Sequence, residues 1–326
     1  MVSLGRVSFF CGSGTGEMTG YLYFRQHTLM NRLTCFLTLL AGTAFGQAPA
    51  DSVALLKTKW TFQDIAPGVT WKHAHCSAGQ LFGSNQNIHV LDTKLKNRKI
   101  RFGFASADTP GDSTRHLVRT SEIARKAGAF AAVNGTFFHV KGGGSEDLVR
   151  IGGRLLDTTL YVPGKPIQEH KQAAITIRGR KVRIERAPEQ NPDIAYGWDQ
   201  RLNAPDVMVT GPLLIWDGHE VPLKKNAFND NRHPRTAACV TKDKHLLLVT
   251  ADGRNAQAQG LSLHELAYLL RQFGCDRAVN LDGGGSTTMY IEGQPDQGVV
   301  NMPSDNKLWD HLGERPVSNV FLMRRK

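Results

Sequence analysis

Metal-binding signatures are missing from this chain: there is no His-Glu-x-x-His, no Cys-x-x-Cys and no EF-hand loop. That excludes a zinc site read from spacing. A calcium or magnesium ion on Asp252 or Asp282 stays open, because oxygen ligands leave no such pattern. The alternating His73 and His75 beside Trp71 read as well as the packed face of a strand as they do as ligands. Acidic residues are outnumbered, 29 against 40 Lys and Arg, for a formal charge of +11. The excess favours acidic partners such as phosphate-bearing glycans. With no Arg-rich helix, zinc finger or aromatic RNA-binding signature, nucleic acid is not the expected partner. No Pro/Ser-rich linker or composition break divides the region after about Asp64, which implies one domain large enough to fold around its own core.

Long apolar runs are also absent. The one from Leu33 to Ala44 falls short of a bilayer span by about six residues. Preceded by Met30-Asn31-Arg32 and followed by Ala44-Phe45-Gly46, it reads as an export signal with its small-residue cleavage pattern and not as an anchor. On this reading residues 1–29 are an over-extended start, 30–46 a signal peptide and 47–63 a lead-in to a domain over 64–326, in a secreted or periplasmic protein. Loss of Arg6, Arg25, Arg32 and Glu17 takes the charge from +11 to +9. Of five cysteines, Cys76, Cys239 and Cys275 then remain. At least one is free or intermolecular, and one internal bridge suits an oxidising compartment. Cys239 reads as a buried strand residue, and none of the three has the neighbours of a nucleophile.

The most informative segment is Ala278-Val279-Asn280-Leu281-Asp282-Gly283-Gly284-Gly285-Ser286-Thr287-Thr288. An apolar strand delivers one carboxylate into three residues without side chains, where free amides could curl around an anion. The plainer alternative is a Gly-rich turn whose Asp only bonds turn amides. A nucleotide loop fits poorly, since Thr288 to Ile291 reads as strand and the phosphate loops need a following helix. Two other segments have the same grammar: Phe130 to Gly135, ending in Asn134, and Leu246 to Arg254, ending in Asp252-Gly253. Strands that end in Asn or Asp plus Gly on one rim form a ligand crevice, so Asn134, Asp252 and Asp282 are expected to meet.

A weak internal echo supports that placement, because Thr120 to Gly128 leads into the Asn134 strand as Leu261 to Gly274 leads into the Asp282 strand. In the second unit Ser262 and Glu265 have capping-box spacing, Leu263, Leu266, Ala267, Leu270 and Phe273 form an apolar face, and Gly274 suits the C-cap. Glu265 is therefore read as a cap and not as a catalytic acid. Arg235, entering the strand Ala238 to Thr241, is the expected phosphate fork, with Thr236 adding a hydroxyl and Arg254 a second cation. His233 and His139 read as exposed polar residues.

Asn-Gly-Thr-Phe-Phe at 134–138, Gly-Pro-Leu-Leu at 211–214, Arg-Thr-Ala at 235–237, Ala-Asp-Gly-Arg at 251–254, Ser-Leu-x-Glu-Leu-Ala at 262–267, Asn-Leu-Asp-Gly-Gly-Gly-Ser at 280–286 and Arg-Pro-Val-Ser-Asn at 315–319 occur in this order. Together they resemble the phosphodiester glycosidase family, which includes the enzyme that uncovers mannose 6-phosphate by removing N-acetylglucosamine from a phosphodiester. The resemblance runs from about Asp64 to Met323, with Thr287 a minor departure. It implies a mixed α+β catalytic domain and hydrolysis of a sugar 1-phosphodiester.

The chemistry can be argued from the residues as well. Phosphate is a good leaving group, so cleavage at the anomeric carbon asks little of an acid but must stabilise positive charge. Asp282 and Asp252 are the candidate catalytic carboxylates. Arg235, with Thr236 and Arg254, and the backbone amides near Gly283, Gly284 and Gly285 would hold phosphate, Asn134 would bond a sugar hydroxyl or N-acetyl group, and Gly135, Gly253, Ser286 and Thr287 complete the expected substrate-binding set. No cofactor is called for. The rival readings are a metal-dependent phosphodiesterase that breaks the P–O bond and a non-catalytic phosphoglycan-binding domain; oligomeric state has no signature. Strands expected at Ile88 to Asp92, Ile100 to Ala105, Ala173 to Arg178 and Lys181 to Glu185, with two helices, give an α+β fold of mixed, mostly antiparallel sheets.

Overall fold

The run Leu246 to Val249 is apolar at every position, which a strand tolerates only when both of its faces are covered. In the computed structural model, which describes residues 51–108, 114–162, 164–188 and 196–326, that segment is the strand His245–Ala251 near the middle of an eight-stranded sheet. Leu246 and Leu248 face one hydrophobic cluster, and Leu247, Val249 and Ala251 face another. The sheet runs Thr61–Ala66, Val69–Leu81, Ser84–Lys94, His245–Ala251, Arg235–Thr241, Cys275–Asn280, Leu213–Trp216 and His219–Glu220.

A four-stranded sheet, Met289–Ile291, Ala131–Asn134, Asn319–Arg325 and Ile100–Ser106, packs on its inner face. A five-stranded sheet, Arg154–Asp157, Val149–Ile151, Asp206–Thr210, Ala173–Arg178 and Lys181–Arg186, closes the same core. Leu248 and Val279, Phe104 and Phe321, and Ile175 and Met208 therefore meet in one cluster drawn from three sheets. The described strand pairs are antiparallel, as expected.

Helices cover the outer faces. Leu263–Gln272 buries Leu263, Leu266, Ala267, Leu269 and Leu270 against the large sheet. The Ser262 hydroxyl accepts from the Glu265 amide, and the Glu265 carboxylate accepts from the Ser262 amide, the reciprocal cap expected of that spacing. Glu265 also takes Arg232 in an ion pair. Gly274 has a φ of +78°, the left-handed cap. Thr120–Lys126 covers the four-stranded sheet in the same manner.

Two expectations are refined. Residues 51–57 are helical and residue 61 opens an edge strand, so part of the expected lead-in belongs to the fold. Ser52 is bonded to Tyr268 at 2.5 Å. Cys239 pairs with Cys275 across adjacent strands, with Cα atoms 5.8 Å apart, leaving Cys76 free and buried. The expected leader at 30–46, and Cys35 within it, lie outside the described residues.

Phe321 stacks edge-on against Phe104 with centroids 5.2 Å apart and has no exposed surface. Phe321→Ala is expected to cost about 3–5 kcal/mol. Urea unfolding followed by tryptophan fluorescence measures it.

Candidate functional site

Strand register brings the two aspartates to one rim. Arg235 lies opposite Ala251, and Ala237 lies opposite Asn280, so residues 252 and 282 leave the sheet at the same end, on either side of the strand Arg235–Thr241. Two strand spacings place their backbones about 10 Å apart. Asn134 arrives there from the four-stranded sheet, where it pairs with Val320. Its Oδ1 accepts from the Thr236 hydroxyl at 2.7 Å and the Thr288 amide at 3.2 Å, and its Nδ2 donates to the Asp282 carbonyl at 2.7 Å. The three motifs thus converge as expected. Asn134 itself is fully buried and committed to protein partners, so the expected bond from its side chain to a sugar is corrected to a bolt between the sheets. Thr236 is likewise buried and donates to Asn134, not to the crevice. Gly135 and Gly253 pack against Asn319 and Pro234.

The glycine run serves a different purpose from the one expected. Its amides are largely spent: Gly283 N–H on Asp282 Oδ1, Gly284 N–H on the Pro234 carbonyl, Ser286 N–H on Gly283 and Thr287 N–H on Gly284. An anion cradle of free amides is therefore corrected. What the missing side chains admit is guanidinium. A Cβ at Gly284, whose φ is +62°, would stand 3.0 Å from Arg254 Nη2, and one at Gly285 would run into Asp305 Oδ1 and stand 2.7 Å from Arg315 Nη2, the two members of an ion pair. Two cations lie against the turn beside Asp282. Arg254 is exposed and has no ion-pair partner among the described residues, while Arg315 is held by Asp305 through Nε at 2.9 Å and Nη2 at 2.6 Å. Both sit where a phosphate could be gripped.

Arg235, the expected fork, is corrected. Its side chain is 1% exposed and donates to the carbonyls of Leu261 at 2.9 Å, Phe228 at 2.6 Å and Asn231 at 3.0 Å. Burial, and then Arg254, pull its pKa down to about 10, so it remains a cation at neutral pH while bracing the chain on which Arg232 and His233 ride.

The two carboxylates differ in access. Asp282 is partly exposed at the turn. Burial pushes it up to about 6, against the opposing pull of Ser286, the Gly283 amide and Arg315, and a nearby Glu146 adds to the rise. The hydroxyls of Thr287 and Thr288, next along the turn, are buried and have no hydrogen-bond partner among the described residues. Asp252 has no exposed surface. It accepts from Asn87 Nδ2 at 2.7 Å, Asn301 Nδ2 at 2.7 Å and the Met302 amide at 3.0 Å. Burial also raises it to about 6, offset in part by those bonds. So enclosed, Asp252 spends its carboxylate on protein partners in this structure and does not stand open beside Asp282 as expected. Asn301 ties Asp252 to the Gly-rich turn by donating also to the Thr287 carbonyl at 3.0 Å.

Behind Asp252 stands an aromatic stack. His89 is 4.3 Å from His73, ring to ring, and 5.9 Å from Trp71. The Trp71 indole donates to His89 Nδ1 at 3.3 Å, and His89 Nε2 lies 3.1 Å from Asn87 Nδ2 and 3.8 Å from Asp252 Oδ2. Burial, then His73 and His311, hold His89 well below its ordinary pKa, so the ring is neutral. Among the described residues no group of three or more His, Cys, Asp or Glu side chains is placed to hold a metal ion. His73 and His75 thus read as sheet-face packing, with His75 beside Trp309.

Arg315, Glu146 and Asn301 were not read as site residues from the sequence. Arg315 opens the Arg-Pro-Val-Ser-Asn segment, which could have drawn attention to it; Glu146 and Asn301 sit in segments without any such pattern. A separate cleft of about 360 Å³, lined by Trp60, Phe62, Lys72, Asp92 and His245 among others, opens at the opposite end of the large sheet. It holds none of the motif residues.

A family model described as phosphodiester glycosidase matches residues 127–324. The chain is 42% identical over 204 residues to N-acetylglucosamine-1-phosphodiester alpha-N-acetylglucosaminidase of Mus musculus, covering 60% of this chain and 37% of that protein. It thus spans well under half the length of that relative. The catalytic domain of the zebrafish enzyme of the same name shares the fold, with a TM-score of 0.61, 19% identity and coverage of 82% of this chain and 88% of the other. A hypothetical protein from Synechocystis does so with a TM-score of 0.58 and 17% identity, over 82% of this chain and 64% of the other.

Because Asp282 titrates near 6 when folded and near 4 when unfolded, the folded state binds its proton more tightly. Its contribution to stability is present below pH 4 and is lost as the pH rises to about 6. Asp282→Asn is therefore expected to raise the unfolding free energy at pH 8 by roughly 1–3 kcal/mol and to change it little at pH 3.5, measured by urea denaturation.

Proposed function

This chain belongs to the phosphodiester glycosidase family, and from that premise we propose that it hydrolyses a sugar 1-phosphodiester of the N-acetylglucosamine 1-phosphodiester kind at the anomeric carbon. The observation that carries the reading is Asp282, a partly exposed residue on a glycine turn flanked by the guanidiniums of Arg254 and Arg315. Such a site pairs a negative group for a positive anomeric centre with two positive groups for a departing phosphate.

In this reaction the leaving group is already an anion, so strong proton donation is unnecessary and charge stabilisation dominates. Asp282 faces the oxocarbenium-like centre in its ionised form. Arg254, free to move, and Arg315, pinned by Asp305, bind the phosphate as its charge grows. Asp252, Asn301 and Asn134 touch no substrate; they hold the turn rigid, so that the charges need not reorganise during reaction. Glycan, exopolysaccharide or wall-polymer processing outside the cytoplasm is the proposed setting. Two features support export: the leader pattern beginning near Met30, and the Cys239–Cys275 bridge, which suits an oxidising compartment. The substrate in the mouse relative's name supports the choice of sugar to test first.

Purified protein is expected to release N-acetylglucosamine from its 1-phosphodiesters. In oxygen-18 water the label should enter the sugar; label in phosphate would mean P–O cleavage and overturn the reading, and binding without any release would indicate a glycan-binding domain. kcat/KM is expected to rise with pH through about 6 as Asp282 ionises, and Asp282→Asn to lower kcat at least about a hundredfold. Arg254→Gln should act differently, raising KM for the phosphodiester roughly tenfold or more through loss of a charge-assisted contact.

A further inference from the structure

The loop after Asn134 brings a second carboxylate toward Asp282. The Asp282 amide donates to the Gly135 carbonyl at 3.0 Å, and the Glu146 amide donates to the Phe137 carbonyl at 3.0 Å. Those carbonyls are two residues apart on one chain, so at most about 7 Å separates the two attachment points. Glu146 is held there firmly. Ser145 bridges to Phe138, and its amide donates to Asp157 Oδ2 at 3.0 Å.

The neighbouring acids 146 and 147 then part company. Asp147 is fully buried, 2.7 Å from His170 Nδ1 and 3.8 Å from Lys171 Nζ. Glu146 keeps its side chain 41% exposed, with Oε2 4.0 Å from the same His170 nitrogen, whose other ring nitrogen meets Gln168 at 2.7 Å. The charge of Glu146 is felt at Asp282, where it opposes Arg315. Glu146 thus has the access to water that the enclosed Asp252 lacks.

We propose that Glu146, not Asp252, is the second carboxylate of the reaction centre, the base that takes a proton from the water attacking the anomeric carbon. The assignment rests on the reading of the protein as a sugar 1-phosphodiester hydrolase. Water oxygen bonds to the anomeric carbon as the bond from that carbon to the phosphate oxygen breaks. The electron pair of the broken bond leaves on phosphate, and the water proton passes to Glu146 and then to solvent. The products are a reducing sugar and a phosphomonoester. Asp282 faces the anomeric carbon throughout.

The test uses the full chain with the methyl phosphodiester of N-acetylglucosamine 1-phosphate. Glu146→Gln is expected to lower kcat by about 10²–10⁴-fold with KM changed by no more than a few-fold. Azide should restore turnover to Glu146→Ala by replacing water, giving a glycosyl azide, a rescue that a merely structural residue would not show. A second measurement needs no turnover. In carboxyl-carbon NMR titrations the Asp282 midpoint should fall in Glu146→Gln, because a neighbouring negative charge is gone. Wild-type kcat in Glu146→Gln, or an unmoved Asp282 titration, overturns the pairing. If neither protein releases sugar from any phosphodiester yet the Asp282 midpoint still falls, the pairing stands and the hydrolase reading fails.

Discussion

One buried primary amide, that of Asn134, joins two sheets at the rim where the three Asn/Asp-Gly strand ends converge. A buried amide without partners costs about 1–3 kcal/mol per unmet group, so its bonds to Thr236, Thr288 and the Asp282 carbonyl hold all three segments to one geometry. Through that joint the large sheet cannot slide on the four-stranded sheet without stranding polar groups. The Asp282 amide then reaches Gly135, and the glycine turn folds back over Pro234. The rest of the site hangs from this closure.

Below the rim the interior is apolar and drawn from three sheets; at the rim the same inward face turns polar, with Thr236, Thr250, His89, Asn87 and Asp252 in place of leucine and valine. This change of character has an energetic cost. Two carboxylates sit where burial raises them to about 6, and the buried hydroxyls of Thr287 and Thr288 in the same turn lack partners among the described residues. Sites of this kind trade stability for electrostatic readiness. The disulfide between neighbouring strands and the tightly capped helix Leu263–Gln272 brace the sheet that bears this load.

Much of the architecture was legible in the linear pattern. Apolar runs ending in Asn-Gly or Asp-Gly marked strands reaching a common rim, and Ser262 with Glu265 marked a helix start, since both signals act over a few residues. Other roles were not legible. Arg235 reads as a phosphate fork beside a strand, yet its guanidinium is absorbed by carbonyls of Phe228, Asn231 and Leu261. The glycines read as an amide cradle, yet they make room for Arg254 and Arg315. Glu146 carries no local pattern; the chain after Asn134 brings it back toward Asp282.

By itself the sequence determined the α+β class, the antiparallel strands, the helix cap and the shared rim of the motif strands, because alternation, capping and turn chemistry are properties of neighbouring residues. Only the tertiary structure decided which polar groups are spent and which stay exposed at the rim. Asp252 is enclosed by Asn87 and Asn301, 165 and 49 residues away, whereas Asp282 stays partly open between Arg254 and Arg315. Desolvation and hydrogen-bond satisfaction depend on partners distant along the chain, so two similar Asp-Gly strand ends acquire opposite roles once packed.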